Sequence, residues 1–225
     1  APEIDTPEHY IRILDHSGFF ETTSISEDDR KRNEMYMANR KRTELQESFK
    51  DYSEYLKSLE MKAVIAPFEK MYIPRIAQLT NKSNQFNLTT KRYTPDDIEK
   101  TANDSSNITL YGRLEDKFGD NGIVSLVIGK QDGDELHIDL WLMSCRVLKR
   151  DMEFAMMDEL AKKAGERGIK TVYGYYYPTA KNKMVKDFYS LQGFELVKED
   201  EEGNKTYKLD LTGYTNKNNV IDVED

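Results

Sequence analysis

The chain has 225 residues, of which 38% are hydrophobic and 33% charged, so one large domain or two small ones can form a core. Its net charge of −8 argues against a general nucleic-acid binder, which needs a basic surface to displace counterions. No apolar run reaches the ~20 residues of a membrane-spanning helix, and the acidic start "APEIDTPEHY" is unlike a signal peptide. We therefore expect a cytoplasmic protein without nucleic-acid or membrane partners.

Few residues of the sequence suit metal or disulfide chemistry. Cys145 is the only cysteine, and His9, His16 and His137 lack the spacing of metal ligands. We therefore predict no metal site and no intrachain disulfide. The sequence begins with Ala1 rather than Met, which favours a fragment or a processed chain.

Residues 1–58 are predicted to form a helical segment that has no core of its own. A short helix is expected at "EHYIRIL", followed by one long helix from an N-cap at Ser26 to Leu59. The first half of that long helix is mostly charged. Its second half carries an apolar face that consists of Phe49, Tyr52, Leu56 and Leu59.

From residue 61 to residue 211 the sequence alternates between strand and helix patterns. The helix at 94–103 has the clearest start signal, because Thr94 is a good N-cap and Asp97 completes a capping box. Strands are predicted at 61–68, 107–116, 122–131, 135–146, 169–178, 194–200 and 205–211, and helices at 69–83, 94–103, 152–168 and 180–193.

The segments between and after these elements also carry predictions. Glycine and aspartate at 119–122 and at 132–134 predict hairpin turns. The tail from Thr212 to the end of the chain is rich in Asn and acidic residues, so we expect residues 212–225 to be disordered.

The strand at 135–146 carries polar residues suited to acid–base chemistry. Asp139 or His137 is a candidate general base for an incoming thiol or amine, and the alternative is a polar pair facing solvent or a neighbouring strand. Cys145 is a candidate for carrying an acyl group as a thioester, or else a buried structural cysteine. Strict alternation places Leu136, Ile138, Leu140 and Leu142 in the core and His137, Asp139, Trp141, Met143 and Cys145 on the other face.

The loop at 146–151 joins this strand to the next helix, and helix N-terminal amides at such a junction can bind phosphate. Phosphate-binding loops usually contain glycine, but Lys149 and Asp151 stand at the expected positions. Asp151 also repels phosphate and is placed to cap the helix itself. The alternatives are therefore a modified phosphate site and a self-capped helix. The candidate residues are Arg146, Val147, Leu148, Lys149, Arg150 and Asp151.

The order of elements and two motifs resemble the GNAT acyltransferase fold. The motifs are "SCRVLKRDME", from strand into helix, and "AKNKMVKDFYSLQGFEL". The resemblance implies an α/β fold, a mixed sheet flanked by helices, over residues 59–211. It implies that the first motif binds the pyrophosphate of coenzyme A, that Asn182 contacts the pantetheine arm, and that Tyr189 protonates the departing thiolate. The alternative for Tyr189 is packing on the last strands.

A narrower resemblance covers most of the chain. The strings "RIAQLTNKSNQFNLTTKRYT", "LMSCRVL" and "YPTAKN" are similar to the C-terminal half of FkbH-like proteins, which join a HAD-type domain to a GNAT-like domain. Residues 1–58 would then be the tail of a HAD-like domain, whose catalytic Asp-x-Asp followed by Thr is absent from this sequence. The resemblance implies transfer of a small, glyceryl-like acyl unit to or from the phosphopantetheine thiol of an acyl carrier protein or of coenzyme A, in polyketide-type biosynthesis.

The polar loop "SNQFNLTTKRY" lies on the acceptor side in the GNAT arrangement, so the resemblance implies that it recognises the acceptor. The alternative is a turn whose side chains satisfy its own backbone. Two other functions stay open, namely a non-catalytic docking module for a carrier protein and a small-amine N-acetyltransferase. The candidate substrate-binding residues are Asn84, Gln85, Asn87, Thr89 and Thr90.

Overall fold

The computed structural model describes residues 6–17 and 32–224. The chain divides into two compact units, residues 1–43 and residues 44–225. The first unit contains a 3₁₀ turn at Pro7–His9 followed by helix α1, Tyr10–His16. Helix α2, Arg32–Glu47, begins in the first unit and ends in the second. The N-cap predicted at Ser26 lies outside the described residues.

The second unit is a mixed α/β fold, as predicted. Its remaining helices are α3 (Tyr52–Ser58), α4 (Ile73–Lys82), α5 (Pro95–Asn103), α6 (Met152–Glu166) and α7 (Phe188–Leu191). Its strands are β1 (Met61–Ala66), β2 (Phe86–Asn87), β3 (Asn107–Asp116), β4 (Gly119–Asp132), β5 (Glu135–Met143), β6 (Thr171–Tyr176), β7 (Glu195–Glu199), β8 (Lys205–Asp210) and β9 (Ile221–Glu224). None of the helices within the described ranges combines the length and hydrophobicity required to cross a membrane.

These strands form one mixed sheet in the order β7-β8-β6-β5-β4-β3-β1-β9, and β2 pairs with β5 beside this path. The pairs β5–β6 and β1–β9 are parallel, and the other pairs are antiparallel. Buried apolar side chains form two clusters. One joins the sheet to α3, α6 and α7, and the other joins it to α4 and α5. Helices therefore flank the sheet, which is the predicted architecture.

A β-bulge interrupts β5 at its middle. Ile128 of β4 pairs with Leu140, and the next residue of β4, Gly129, pairs with Ile138. Asp139 is therefore an extra residue without a partner on β4. The bulge turns the strand, and it places an acidic side chain at the centre of the sheet.

The bulge overturns the predicted alternation of β5. Trp141 and Met143 lie in the same apolar cluster as the buried residues before the bulge, whereas Leu140 and Leu142 lie in the other cluster. The prediction that Trp141 and Met143 share a face with Asp139 is therefore wrong, because one inserted residue reverses which face each later side chain occupies.

Two predicted helices are shorter than expected. The long helix ending at Leu59 is divided at residues 48–51, where Asp51 Oδ1 accepts a hydrogen bond of 2.9 Å from the Glu54 amide and starts α3. The helix at 180–193 is reduced to a 3₁₀ turn at Lys183–Val185 and to α7.

The boundary between the predicted helical segment and the main domain also moves. Tyr55, Leu56 and Leu59 are buried in the large core cluster. The second compact unit begins at Glu44 instead of residue 59. Residues 44–58 therefore belong to the same compact unit as the domain, which was predicted to begin at residue 59.

The tail predicted to be disordered contains strand β9, which pairs in parallel with β1. The buried Asp158 carboxylate of α6 accepts hydrogen bonds from the Tyr214 hydroxyl at 2.6 Å and from the Lys217 and Asn218 amides at 3.0 and 2.9 Å. These bonds anchor residues 214–218, and the anchored segment leads Ile221 into the core.

The predicted capping box and one of the two predicted hairpin turns are confirmed. The capping box of α5 is present, since Thr94 Oγ1 accepts from the Asp97 amide at 3.2 Å and Asp97 Oδ2 accepts from the Thr94 amide at 3.0 Å. The hairpin turn at 132–134 is present. The other turn lies at residues 117–118, because Asp116 pairs with Gly119, and residues 119–122 begin β4.

Candidate functional site

The sheet opens between β5 and β6. These parallel strands pair only from Glu135 with Thr171 to His137 with Tyr173, after which they separate. The opening is occupied by residues 86–88 of the same chain. We call these residues the inserted segment.

Backbone hydrogen bonds hold the inserted segment on both sides. Phe86 and Asn87 pair with the end of β5. The Leu88 amide donates to the Trp141 carbonyl at 3.1 Å, and the Leu88 carbonyl accepts from the Tyr177 amide at 2.9 Å. The inserted segment therefore makes the contacts of a strand that joins β5 to the end of β6.

The Asn182 side chain holds the inserted segment by hydrogen bonds to the backbone. Its side chain is fully buried, and Nδ2 donates to the Asn87 carbonyl at 3.0 Å and to the Tyr177 carbonyl at 2.9 Å. Its Oδ1 accepts from the Thr179 amide at 2.7 Å. The polar atoms expected to contact a pantetheine arm are thus engaged with the chain itself, and a pantetheine role for Asn182 stays a prediction.

Tyr189 lies deep in an aromatic cluster. It is 1% exposed, and its ring centroid is 5.0 Å from that of Phe194 and 5.4 Å from that of Tyr207. Burial raises the pKa of the phenol. These contacts match the packing alternative. The predicted role as a proton donor to a thiolate requires a movement that opens this cluster, so it stays a prediction.

The loop at 146–151 contains two residues other than glycine in the left-handed backbone region that glycine adopts most easily. Lys149 and Asp151 have φ angles of 64° and 61°. The left-handed region costs an L-residue other than glycine roughly 1–2 kcal/mol. The two strained residues stand at the positions where the resemblance to the GNAT motif places glycine, so each has a conformational cost that glycine would not have.

The strained loop presents backbone donors at the start of α6, a helix of 15 residues. Within the described part of the chain, the amides of Lys149, Asp151 and Met152 donate no hydrogen bond. The Tyr52 hydroxyl donates to the Lys149 carbonyl at 2.6 Å and fastens the loop to α3. The amides can therefore bind an anion together with the positive end of the helix dipole.

Two acidic side chains stand at the same place. Asp151 forms no capping hydrogen bond, so the predicted self-capped helix is wrong. Burial raises the pKa of Asp151. Burial, with a smaller contribution from the charge of Asp151, raises the pKa of Glu153 to about 7. Glu153 Oε2 is buried and has no hydrogen-bond partner among the described residues. The loop thus combines free amides with acids that repel an anion.

The three cationic side chains of this loop differ in their contacts. The Arg150 side chain is buried, and Nη1 lies 3.0 Å from Oδ2 of the buried Asp116. Arg146 Nε donates to Ser144 Oγ at 3.2 Å. Lys149 is exposed. Arg150 therefore stabilises the end of β3, and Lys149 is free to approach a ligand.

Two further residues of the loop pack in the core, and Cys145 directly precedes the loop. Val147 is fully buried, and Leu148 packs against the large core cluster. Cys145 is exposed, so the interpretation as a buried structural cysteine is wrong.

The predicted acceptor loop mainly satisfies its own backbone. Arg92 donates to the Ser83 carbonyl at 2.8 Å, to the Thr80 carbonyl, and to Asn84 Oδ1 at 2.5 Å, so it caps the end of α4. Gln85 is exposed. For Asn84 the contacts match the structural alternative.

The side chains of Asn87 and Thr89, in the second part of the loop, also bond to the backbone of the chain itself. Asn87 Oδ1 accepts from the Thr90 amide at 2.9 Å, which supports the positive φ of 57° at Thr90. Thr89 Oγ1 donates to the Asp139 carbonyl at 2.8 Å. Thr89 therefore joins the inserted segment to the bulge of β5, and substrate contacts of these residues stay a prediction.

Asp139 is the centre of a charged cluster whose other members lie far from it in the sequence or on a neighbouring strand. Oδ1 lies 2.5 Å from Lys91 Nζ and 3.1 Å from Lys130 Nζ, and the Tyr93 hydroxyl donates to Oδ2. Burial by itself raises the pKa of Asp139, but the hydrogen bonds from Lys91, Tyr93 and Lys130 outweigh it and lower the pKa. A carboxylate held ionised in this way is a weak general base.

His137 belongs to a separate aromatic group on the same strand. Its ring stacks on Tyr173 at a centroid distance of 5.0 Å and 7° between planes. Nδ1 lies 2.7 Å from the Tyr175 hydroxyl, and Nε2 lies 3.6 Å from Glu135 Oε2. These are the cross-strand contacts of the predicted alternative, and a role as general base stays a prediction.

The fold matches solved acetyltransferase structures. One, described as an acetyltransferase of the GNAT family from Streptococcus pneumoniae, has a TM-score of 0.53 at 15% identity and covers 66% of this chain and 98% of its own. An acetyltransferase from Thermus thermophilus has a TM-score of 0.51 at 18% identity and covers 66% and 97%. The ribosomal-protein-S18-alanine N-acetyltransferase of Escherichia coli has a TM-score of 0.50 at 12% identity and covers 68% and 96%.

No protein-family model and no curated protein matches the sequence. At these identities the structural matches establish the fold, which confirms the predicted GNAT-like arrangement. Activity has to be argued from the site.

Proposed function

We propose that this GNAT-like domain transfers a small acyl unit to or from a phosphopantetheine thiol, carried by an acyl carrier protein or by coenzyme A. The observation that carries the proposal is the strained loop. Lys149 and Asp151 keep a left-handed backbone that glycine adopts freely, and the loop leaves amides open at the start of α6. Strain of this kind concentrates at functional sites.

The opening between β5 and β6 supports the same chemistry. A pantetheine arm contains two amide groups and can pair with backbone as a strand does. The Trp141 carbonyl and the Tyr177 amide offer such pairing, and Leu88 now uses both. A thioester therefore enters when the inserted segment withdraws and gives up these bonds together with that from Asn182.

The acids in the loop favour a carrier protein over free coenzyme A. Coenzyme A brings a pyrophosphate and a further phosphate, whereas phosphopantetheine on a serine is a diester with one negative charge. Asp151, and Glu153 in its ionised form above about pH 7, repel the larger charge more strongly. Contacts with the surface of a carrier protein can also offset the cost of moving the inserted segment.

The resemblance to FkbH-like proteins extends the proposal. It supports a glyceryl-like acyl unit, a carrier protein of polyketide-type biosynthesis, and a HAD-like domain of the same parent protein as a second partner. In the reaction, the acceptor attacks the thioester carbonyl, the carbon–sulfur bond breaks, and the departing thiolate takes up the proton that the acceptor releases. The low pKa of Asp139 disfavours it as the base in this step.

A second candidate is a docking module without catalysis. The observation that favours it is the burial of Tyr189 and Asn182, both of which the GNAT resemblance assigns to substrate. Such a module binds a carrier protein through the surface of the partner, and the opening stays closed.

The test is calorimetric titration of this chain with acetyl-coenzyme A, with a phosphopantetheine-loaded carrier protein, and with the same carrier protein before loading. We expect the loaded carrier to bind at least tenfold more tightly than acetyl-coenzyme A. Equal binding of the loaded and unloaded carrier would favour the docking module. Binding of neither would refute the proposal.

Two further measurements sharpen this test. Asp151→Gly removes a repulsive charge and restores a glycine, so we expect tighter binding of coenzyme A. Asp222→Gly, at an exposed position of the edge strand β9, removes the same charge at a distance and serves as control. Release of free thiol from acetyl-coenzyme A in the presence of a panel of small amines would instead support an amine N-acetyltransferase.

A further inference from the structure

A polar cleft of about 380 Å³ lies beside the bulge of β5. This volume is in the range of small-molecule sites. Its walls come from the loop after β2, from α5, and from the neighbouring strands β4 and β5. The charged lining consists of Lys91, Arg92, Lys100 and Lys130 with Asp97 and Asp139.

The cleft carries more positive than negative side chains, although the whole protein has a net charge of −8. A basic cleft in an acidic protein attracts small anions specifically, because the local field opposes that of the remaining surface. The two carboxylates are moreover already bonded, Asp97 to Thr94 in the capping box and Asp139 to two lysines.

Lys91 and Lys130 share the buried Asp139 carboxylate, and Lys130 also interacts with the charge of the exposed Asp104. Both ammonium groups contact the same oxygen, Oδ1 of Asp139, so they lie within a few ångströms of each other. A single carboxylate balances only one of them. Each ammonium also has three N–H donors, and both lysine side chains are about half exposed, at 45% and 56%. A second anion therefore completes the cluster in both charge and hydrogen bonding.

The cleft is coupled to the opening between β5 and β6. Thr89 follows the inserted segment directly, and its hydroxyl donates to the Asp139 carbonyl at 2.8 Å. The bulge residue thus has its side chain in the cleft and its backbone tied to the opening. A thioester held in the opening lies next to a ligand held in the cleft.

We propose that the cleft binds the anionic group, a carboxylate or a phosphate, of the second substrate in acyl transfer, with Lys91 and Lys130 as its direct partners and Lys100 at the rim. The role as second substrate rests on the proposed function. The binding of a small anion does not, so it can be tested separately.

The test is titration of the full chain at low ionic strength with inorganic phosphate and, separately, with malonate. Glycerol serves as the neutral probe. Calorimetry gives the affinity, and amide chemical shifts of Thr101 and Asp139 give the location. We expect at least one of the two anions to bind and to shift both amides, and glycerol to leave them unchanged.

Two variants test the partners, and two controls test the location. Lys130→Met and Lys100→Met are each expected to weaken anion binding fivefold or more. Lys100 forms no ion pair with Asp139, so its variant keeps the cluster of Asp139 with Lys91 and Lys130 intact. Lys208→Met, on an exposed part of β8, is expected to bind as the wild type does. Lys149→Met, in the strained loop, is expected to keep the anion-induced shifts of the Thr101 and Asp139 amides, which report on the cleft alone.

Anion binding that is lost in Lys149→Met and kept in Lys130→Met would overturn the inference, because the anion would then lie in the loop. Failure of both anions to bind would overturn it as well. The two proposals can fail separately. Anion binding at the cleft without any acyl transfer would count against the proposed function alone. Acyl transfer with an unchanged KM for the acceptor in Lys130→Met and Lys100→Met would count against the cleft alone.

Discussion

Glu153 at the start of α6 gives the sharpest prediction about stability. Its pKa of about 7, against an ordinary value of 4.5, arises first from burial and then from the neighbouring charge of Asp151. Each pKa unit is worth ~1.36 kcal/mol, so the full effect is about 3 kcal/mol. The side chain is partly exposed, and the helix N-terminus favours its charged form, so we expect about 1–3 kcal/mol.

The direction follows from which state binds the proton more tightly. The folded protein holds the Glu153 proton more tightly than the unfolded chain does, so this group favours folding when it is protonated. That stability is fully present below about pH 4.5 and is lost as the pH rises to about 7. Glu153→Gln keeps the shape of the protonated acid and cannot ionise.

The assay is urea unfolding of the wild type and of Glu153→Gln at pH 4.5 and pH 8. We expect similar free energies of unfolding at pH 4.5, and a variant more stable by about 1–3 kcal/mol at pH 8. Glu195→Gln, exposed on β7, is the matched control and should follow the wild type at both pH values. A variant that is less stable at pH 8 would refute the reasoning, because Glu153 would then be a favourable charge at the helix N-terminus.

Three further predictions concern packing and the two anchored segments. Gly174→Ala forces a methyl group against the rigid ring of Tyr189, whereas the methyl group of Gly112→Ala meets the flexible ends of two methionine side chains. Urea unfolding should therefore show a loss of stability of about 2–3 kcal/mol for Gly174→Ala and of about 1 kcal/mol for Gly112→Ala. Equal losses in the two variants would contradict this reasoning. Asp158→Ala leaves its partly buried donors without this acceptor, so we expect a loss of about 3 kcal/mol and faster hydrogen exchange in β9. Unchanged exchange there would show that the tail is held by other contacts. Asn182→Ala frees the inserted segment, and the Tyr177 amide should then exchange faster while amides of α6 do not; equal exchange would mean that backbone pairing alone holds the segment.

The local sequence determined those elements whose causes lie within a few residues. Thr94 and Asp97 form their capping box because both partners belong to one helical turn. The turn at 132–134 lies where Gly133 adopts a positive φ of 60°. Periodicity predicted the order of strands and helices between residues 61 and 211 apart from the short β2, and it missed β9. The loop at 146–151 could be predicted because a strand-to-helix junction is itself local.

The rest depends on contacts between residues far apart in the sequence. The bulge at Asp139 arises from pairing with β4, and the lysines around it come from segments 48 and 9 residues away. The tail is ordered because a carboxylate on α6 binds amides about 60 residues later. The opening between β5 and β6 is filled by a segment more than 50 residues before the end of β5. Periodicity reports which face of an element is apolar. It does not report which strand inserts an extra residue or which distant side chain supplies a hydrogen bond, and those contacts determine the geometry of the candidate site.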